Sequence, residues 1–150
     1  MTKTITDDSK WRKILASVKE MTAERKVRVG VFDNGGMENG VSIAEIAAFH
    51  EFGTSTIPER SFLRSTFYGH AAEELKQMCA KLTAAIVAGK MNESRALGLL
   101  GTWAAAQVKK TIRSNIAPAL APETIARKGS SVALIDTAQL LNSVTHVVDE

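Results

Sequence analysis

Apolar positions recur along this chain with two different periods, and the switches between them lay out its elements. Trp11, Ile14, Leu15, Val18 and Met21 fall at three- and four-residue steps, the spacing of one face of a helix about four turns long. Asp7, Asp8 and Ser9 ahead of them are good N-caps and put negative charge where the helix dipole favours it. Lys10, Arg12, Lys13 and Lys19 occupy much of the other face and read as solvated. Val27, Val29 and Val31 then alternate with Arg28, Gly30 and Phe32, which is strand periodicity. Asn34-Gly35-Gly36 and Asn39-Gly40 bracket Met37-Glu38 and predict a turn or hairpin tip, because both dipeptides tolerate positive φ. Ser42 is placed to cap a helix with Ile43, Ile46, Ala47 and His50 on one face, which Gly53 stops.

After a polar loop over 54–60, Leu63, Phe67, Ala71, Leu75, Met78, Leu82 and Ile86 predict one unbroken apolar face of about six turns, ending near Gly89. Asn92 restarts a helix with Ala96, Leu100, Trp103, Val108 and Ile112 inward. Two long helices so briefly joined should pack antiparallel as a hairpin. Ala84, Ala85 and Ala104 to Ala106 allow close approach, and the gross burial is on the order of ten kcal/mol. Pro118 and Pro122 break the pattern. Pro122 to Gly129 reads as a short helix opened by proline and ended by glycine. Ser130-Ser131 link it to Val132-Ala133-Leu134-Ile135, and Asp136 or Thr137 caps a last turn through Leu140-Leu141. Val144 to Val148 has strand composition and can pair with residues 26–32. The expected fold is α+β: a small antiparallel sheet from residues 26–33 and 143–149, packed by an N-terminal helix and the long antiparallel helical hairpin. It forms a single domain over 1–150, with residues 1–8 flexible.

Composition changes this picture little. At 150 residues, 45% hydrophobic and 23% charged, the chain is an ordinary globular one. A chain of this size buries about 70% of its unfolded surface. With five Phe, two Trp and one Tyr, the core must be mostly aliphatic and alanine-rich. No apolar run approaches the roughly 20 residues that cross a bilayer, and Met1 to Asp8 has no signal-peptide core. A lone Cys79 excludes an internal disulfide and suits a reducing cytoplasm. Beside Met78 and Leu82 it reads as a buried helix position. There are no internal repeats.

Charge is more informative. The net +3 is unevenly placed: residues 1–28 hold eight Lys/Arg against four Asp/Glu, and residues 29–60 hold one against five. Opposed blocks suit contacts with oppositely charged surfaces, including copies of the same chain. A protein held on DNA through phosphates would show a denser basic stripe. A DNA-associated role for the basic N-terminus would predict salt-sensitive duplex binding.

For chemistry, His50-Glu51 is the most tempting pair. A zinc-protease helix needs His-Glu-x-x-His, with two imidazoles one turn apart, and the partner position here is Thr54, beyond a glycine. His70 and His146 stand at no ligand spacing from His50. Ser61, Ser65 and Ser114 lie in no G-x-S-x-G setting. The glycines near Asn34 match neither dinucleotide nor P-loop spacing. Glu51, Glu59 and Asp136 as paired carboxylates read better as cap and loop residues. No catalytic residue, cofactor or metal is expected. The alternative from another class is a small metallohydrolase using His50, Glu51 and His70.

Two segments carry a resemblance. Ala48-Phe49-His50-Glu51-Phe52-Gly53-Thr54 with Ile57-Pro58-Glu59-Arg60-Ser61-Phe62-Leu63-Arg64 is the first. The second comprises Ala121-Pro122-Glu123-Thr124-Ile125-Ala126-Arg127-Lys128-Gly129 and Leu134-Ile135-Asp136-Thr137-Ala138-Gln139-Leu140-Leu141-Asn142-Ser143-Val144. Together they resemble the signature of the small neck and tail-completion proteins of long-tailed bacteriophages, the virion morphogenesis proteins. They stand in family order around a helical middle and cover about a third of the chain. Three departures stand out. Ala138 occupies a usual glycine, so a positive φ there is not required. Ser61 replaces the proline before Phe62, and Ala133 the proline before Leu134.

The resemblance implies a structural virion protein of the neck, completing the tail and joining it to the head as a homo-oligomeric ring. Its partners would be the tail tube or tail terminator and the head-connector proteins, and its location the virion, after assembly in the host cytoplasm. DNA would pass through without specific binding, and no membrane is involved. A tail-terminator or connector-stopper ring is the nearest alternative. The motif residues Phe49, Glu51, Phe52, Gly53, Pro58, Arg60, Phe62, Arg64, Asp136 and Thr137 read as scaffold first and contact surface second. Phe49, Phe52 and Phe62 should clasp the helices around the Gly53 turn, with Pro58 stiffening the loop. Arg60 and Arg64 should hold Glu51 or Asp136 across the joint. The basic 1–28 and acidic 29–60 blocks offer the two unlike surfaces that a closed ring needs.

Overall fold

The computed structural model describes residues 8–21, 25–129 and 138–149. The chain runs α1 (Asp8–Met21), β1 (Lys26–Val31), a 3₁₀ turn at Asp33–Gly35, β2 (Met37–Glu38), β3 (Val41–Ser42), α2 (Ile43–Phe52) and α3 (Phe62–Ser65). It continues through α4 (Ala72–Val87), α5 (Glu93–Arg113), α6 (Pro122–Lys128), α7 (Gln139–Ser143) and β4 (Val144–Asp149). The fold is α+β. Expectations for residues 1–7, for Val132 to Ile135 and for an Asp136 or Thr137 cap lie outside the described residues.

β1 and β4 pair antiparallel from Lys26 opposite Asp149 to Val31 opposite Val144, as the alternating valines predict. β2 and β3 form a two-residue hairpin around Asn39-Gly40. α5 lies along both long strands, and α4 returns against α5 to make the antiparallel hairpin; α1 rests on α4 and α5. Close approach of α5 to the sheet depends on Gly101: a Cβ there would overlap the His146 ring and come within 2.8 Å of Val27 Cγ2. Ile43, Ala47, Phe62, Ala105, Val108, Ile112, Leu140, Leu141 and Val144 form the core, joining α2, α3, α5, α7 and β4.

Several expectations need correcting. The apolar face predicted to run unbroken from Leu63 to Ile86 is interrupted by a π turn over Thr66–His70, where Gly69 leaves helical geometry at φ −110, ψ −119. The lack of a Cβ makes this departure cheap at glycine, and the apolar spacing survives because the kink falls between Phe67 and Ala71. Thr66 Oγ1, buried, donates to the Phe62 carbonyl at 2.6 Å and lies 2.5 Å from Thr111 Oγ1, tying this stretch to α5. Cys79 is exposed rather than buried, although it stands on the same face as Leu82 and Ile86: the three line an open cleft against Ala96 and Leu100 of α5. Ala138 does take a left-handed conformation (φ +60), at a backbone cost of about 1 kcal/mol for a residue with a Cβ. The periodic face of α1 is also not buried: Trp11 is 59% exposed, Leu15 49% and Val18 44%.

Candidate functional site

Of the motif residues singled out in the sequence, those from Phe49 to Arg64 lie at the joint between α2 and α3. α2 begins with a capping box: Ser42 Oγ accepts from the Glu45 N–H at 3.1 Å, and the Glu45 carboxylate accepts from the Ser42 N–H at 3.2 Å. Its inner face is Ile43, Ala47 and Glu51, at i, i+4 and i+8. Gly53 ends the helix at φ +72, a conformation that disfavours a side chain. The loop then folds back on itself. Thr54 Oγ1 accepts from the N–H groups of Thr56 and Ile57, the Thr54 N–H donates to the Ile57 carbonyl, and the Arg60 N–H donates to the His50 carbonyl at 2.7 Å.

This return brings the start of α3 onto Glu51, which is 3% exposed. Ser61 makes no side-chain cap. Instead Glu51 Oε2 accepts from the Leu63 N–H at 2.8 Å and Oε1 from the Arg64 N–H at 3.0 Å, so one helix's last turn caps the next. The Arg64 guanidinium closes the arrangement, with Nε donating to Glu51 Oε1 at 2.9 Å. Its Nη2 donates to the Glu51 carbonyl at 2.6 Å and to Glu59 Oε1 at 2.9 Å. Chiefly through the hydrogen bond to Glu51, with both carboxylates attracting it, Arg64 is held above the ordinary guanidinium range. It also lies 5.0 Å from the centroid of the Phe52 ring.

Arg60 points the other way. It is 4% exposed, its Nε donates to the Pro118 carbonyl at 2.8 Å, and burial pushes its pKa down. Arg64 thus holds Glu51 as expected, whereas Arg60 holds a main-chain carbonyl next to the cis Ala117–Pro118 bond. Asp136 and Thr137 lie outside the described residues.

The expected clasp of three phenylalanines is a clasp of one. Phe62 is fully buried in the core, but Phe49 and Phe52 are 39% and 67% exposed. The buried face of α2 is already filled by Ile43, Ala47 and Glu51, which turns residues 49 and 52 outward. Pro58 and Glu59 are exposed at the loop tip.

His50, Glu51 and His70 do not converge. The Glu51 carboxylate is engaged by α3, and His70 Nε2 lies 2.8 Å from Thr111 Oγ1. His146 is on β4, above Gly101. Among the described residues there is no group of three or more His, Cys, Asp and Glu side chains arranged to hold a metal. No helix among them is long and apolar enough to cross a membrane.

Sequence reasoning missed a cavity beside the joint. Arg60 shares it with His50, Thr56, Thr124 and Arg127, and its volume is about 570 Å³. The sequence signal for it was slight: part of each side, His50, Ile57, Pro58 and Arg60 on one and Ala121, Thr124 and Arg127 on the other, falls in the two motif segments. Compared with models of known protein families, with curated proteins and with solved structures, the chain matches none.

Proposed function

We propose that this chain is a structural protein of the neck of a long-tailed bacteriophage, completing the tail and joining it to the head as a ring of identical subunits. One observation carries the reading: two helices each present an apolar stripe to solvent, with opposite charge around them. On α1, Trp11, Leu15 and Val18 stand at i, i+4 and i+7, flanked by exposed Lys10, Arg12 and Lys19. On α2, the exposed apolar residues are Ala48, Phe49 and Phe52, with Glu45 one turn before them and exposed Glu59 at their end. The Arg64 cation near Phe52 is already paired with Glu51 and Glu59. Isolated exposed apolar residues are ordinary, but a periodic, charge-rimmed row on a helix marks a contact surface.

Two unlike complementary surfaces on one subunit generate a head-to-tail interface, which closes into a ring when its rotation allows. The Glu51 tie supports the same reading, because it makes the α2 stripe part of a rigid frame. Such a protein acts by shape and charge and needs no cofactor.

Electron cryomicroscopy of phage particles containing the chain tests the proposal. Density fitting the hairpin and α2 is expected in the neck, between connector and tail tube. Its absence from finished particles, or its presence only in capsid or tail tip, would overturn the reading. In solution, a charge-reversed Lys10/Arg12/Lys13 variant should lose self-association at low salt, and unchanged sedimentation would remove the charge argument.

A further inference from the structure

Arg60 is the anomaly of the joint. Burying a guanidinium is costly unless an anion compensates it, and the neighbouring arginine shows the usual remedy, with Arg64 held by two carboxylates. Among the described residues no carboxylate pairs with Arg60. Its side chain makes one hydrogen bond among these residues, from Nε to the neutral Pro118 carbonyl, although a guanidinium has five N–H donors. The rest of the group faces the cavity of about 570 Å³. A second cation, Arg127, lines the same cavity, with Thr56 and Thr124. Two arginines and two threonines around one open space suit an oxyanion.

The surroundings narrow the anion. Ile57, Pro58 and Leu120 line the same cavity, so the charged end adjoins an apolar wall. The lining holds two arginines and no Asp or Glu, and Glu59 close by is paired with Arg64. Two cations without an extended basic stripe do not make a track for a polyanion such as a nucleic-acid backbone. They match a single carboxylate carried next to an aliphatic group.

We infer that the cavity between the 54–60 loop and the 118–127 segment binds one carboxylate side chain presented beside an aliphatic residue by a protein partner. Arg60 is the buried anchor, Arg127 the solvent-side clamp, and Ile57 with Leu120 the apolar wall. The site does not depend on the neck proposal. It is read on the purified chain, whereas the neck proposal is read in particles.

The test is a nitrogen-15 NMR titration of the full chain, following the amides of Thr56, Leu120 and Thr124 and the Arg60 Nε–H. The probes are a blocked tetrapeptide with leucine next to glutamate, its glutamine counterpart, and inorganic phosphate. The glutamate peptide should shift these resonances saturably and bind at least about tenfold tighter than the glutamine peptide. Arg127→Ala, an exposed change that leaves Arg60 and its carbonyl contact in place, should weaken it about fivefold. Arg95→Ala on exposed α5 surface should leave it unchanged. Arg60→Met should abolish binding, and if that variant does not fold, Arg127→Ala decides alone. No saturable shift with any probe, equal binding of the two peptides, or an Arg127→Ala variant that binds as wild type would overturn the site. Phosphate binding more tightly than the glutamate peptide would overturn the carboxylate assignment.

Discussion

Arg64 donates to Glu51 three times: through its backbone N–H at 3.0 Å, its Nε at 2.9 Å and its Nη2 at 2.6 Å. The last of these goes to the Glu51 carbonyl and the other two to one carboxylate oxygen, while the second oxygen takes the Leu63 N–H. A residue that looks catalytic in the sequence is therefore the fastening between two helices. Glu51→Ala would strip two backbone donors and a cation of their acceptor in a buried setting. It should lower the unfolding free energy by about 3 kcal/mol, with Glu51→Gln costing about half as much because the shape and one acceptor remain. Urea denaturation checks this. A Glu51→Ala variant as stable as wild type would mean the carboxylate is held for another purpose.

The same joint requires Gly53. At φ +72, a Cβ would sit 3.0 Å from the Glu59 backbone nitrogen and 3.2 Å from its Cα, and neither main-chain atom can swing aside. Gly53→Val should cost about 2 to 4 kcal/mol. Glu59→Ala removes only an exposed partner of Arg64 and should cost less than about 1 kcal/mol. Thermal unfolding of the two variants side by side separates them, and equal midpoints would contradict this account of the turn.

What the sequence made legible follows from what local chemistry specifies. Ser42, Gly53, and Pro122 with Gly129 are end signals that act within a few residues, and each stands where it was expected. The alternating valines gave β1, and the composition of Val144 to Val148 gave its partner. Trp11, Leu15 and Val18 were readable as an apolar face, but periodicity does not say whether the chain itself covers that face. The pairing of Arg64 with Glu51 was legible because charges of opposite sign advertise each other. The pairing of Arg60 with the Pro118 carbonyl was not, since a main-chain acceptor leaves no mark on residue type. The break at Gly69 leaves no mark because an apolar repeat carries on across a kink, and the exposure of Phe49 and Phe52 leaves none because an aromatic residue beside a turn reads the same whether it closes the turn or faces solvent.

Gly101 makes a prediction against helix propensity. In an exposed helix, alanine is favoured over glycine by about 1 kcal/mol. Here the added methyl would meet the His146 ring and Val27, so Gly101→Ala should instead destabilise by about 2 kcal/mol through overpacking between α5 and the sheet. Combining it with His146→Ala should recover part of the loss, a non-additivity that a double-mutant cycle measures. Strict additivity would mean that α5 shifts away rather than pressing on the histidine.

The far end of the sheet gives a pH dependence. Arg28 Nε donates to Asp149 Oδ2 at 2.9 Å and Nη2 to Oδ1 at 2.8 Å, a bidentate pair across β1 and β4. The hydrogen bonds from Arg28 hold the Asp149 carboxyl below the ordinary value; desolvation opposes them, and the charges of Arg28 and Lys26 assist. A carboxyl whose pKa is lower folded than unfolded adds stability that is fully present above its unfolded pKa and is lost as pH falls through the folded value. The contribution should therefore be constant at neutral pH and disappear only below the usual carboxylate range. Because both side chains are solvent-exposed, the effect should be local: faster amide exchange at Lys26 and Val148 in acid, with little change in the global midpoint. Asp149→Asn should remove that acid-dependent step. An Asp149 carboxyl that titrates at or above the value of an unstructured peptide would show that the pair does not form in solution.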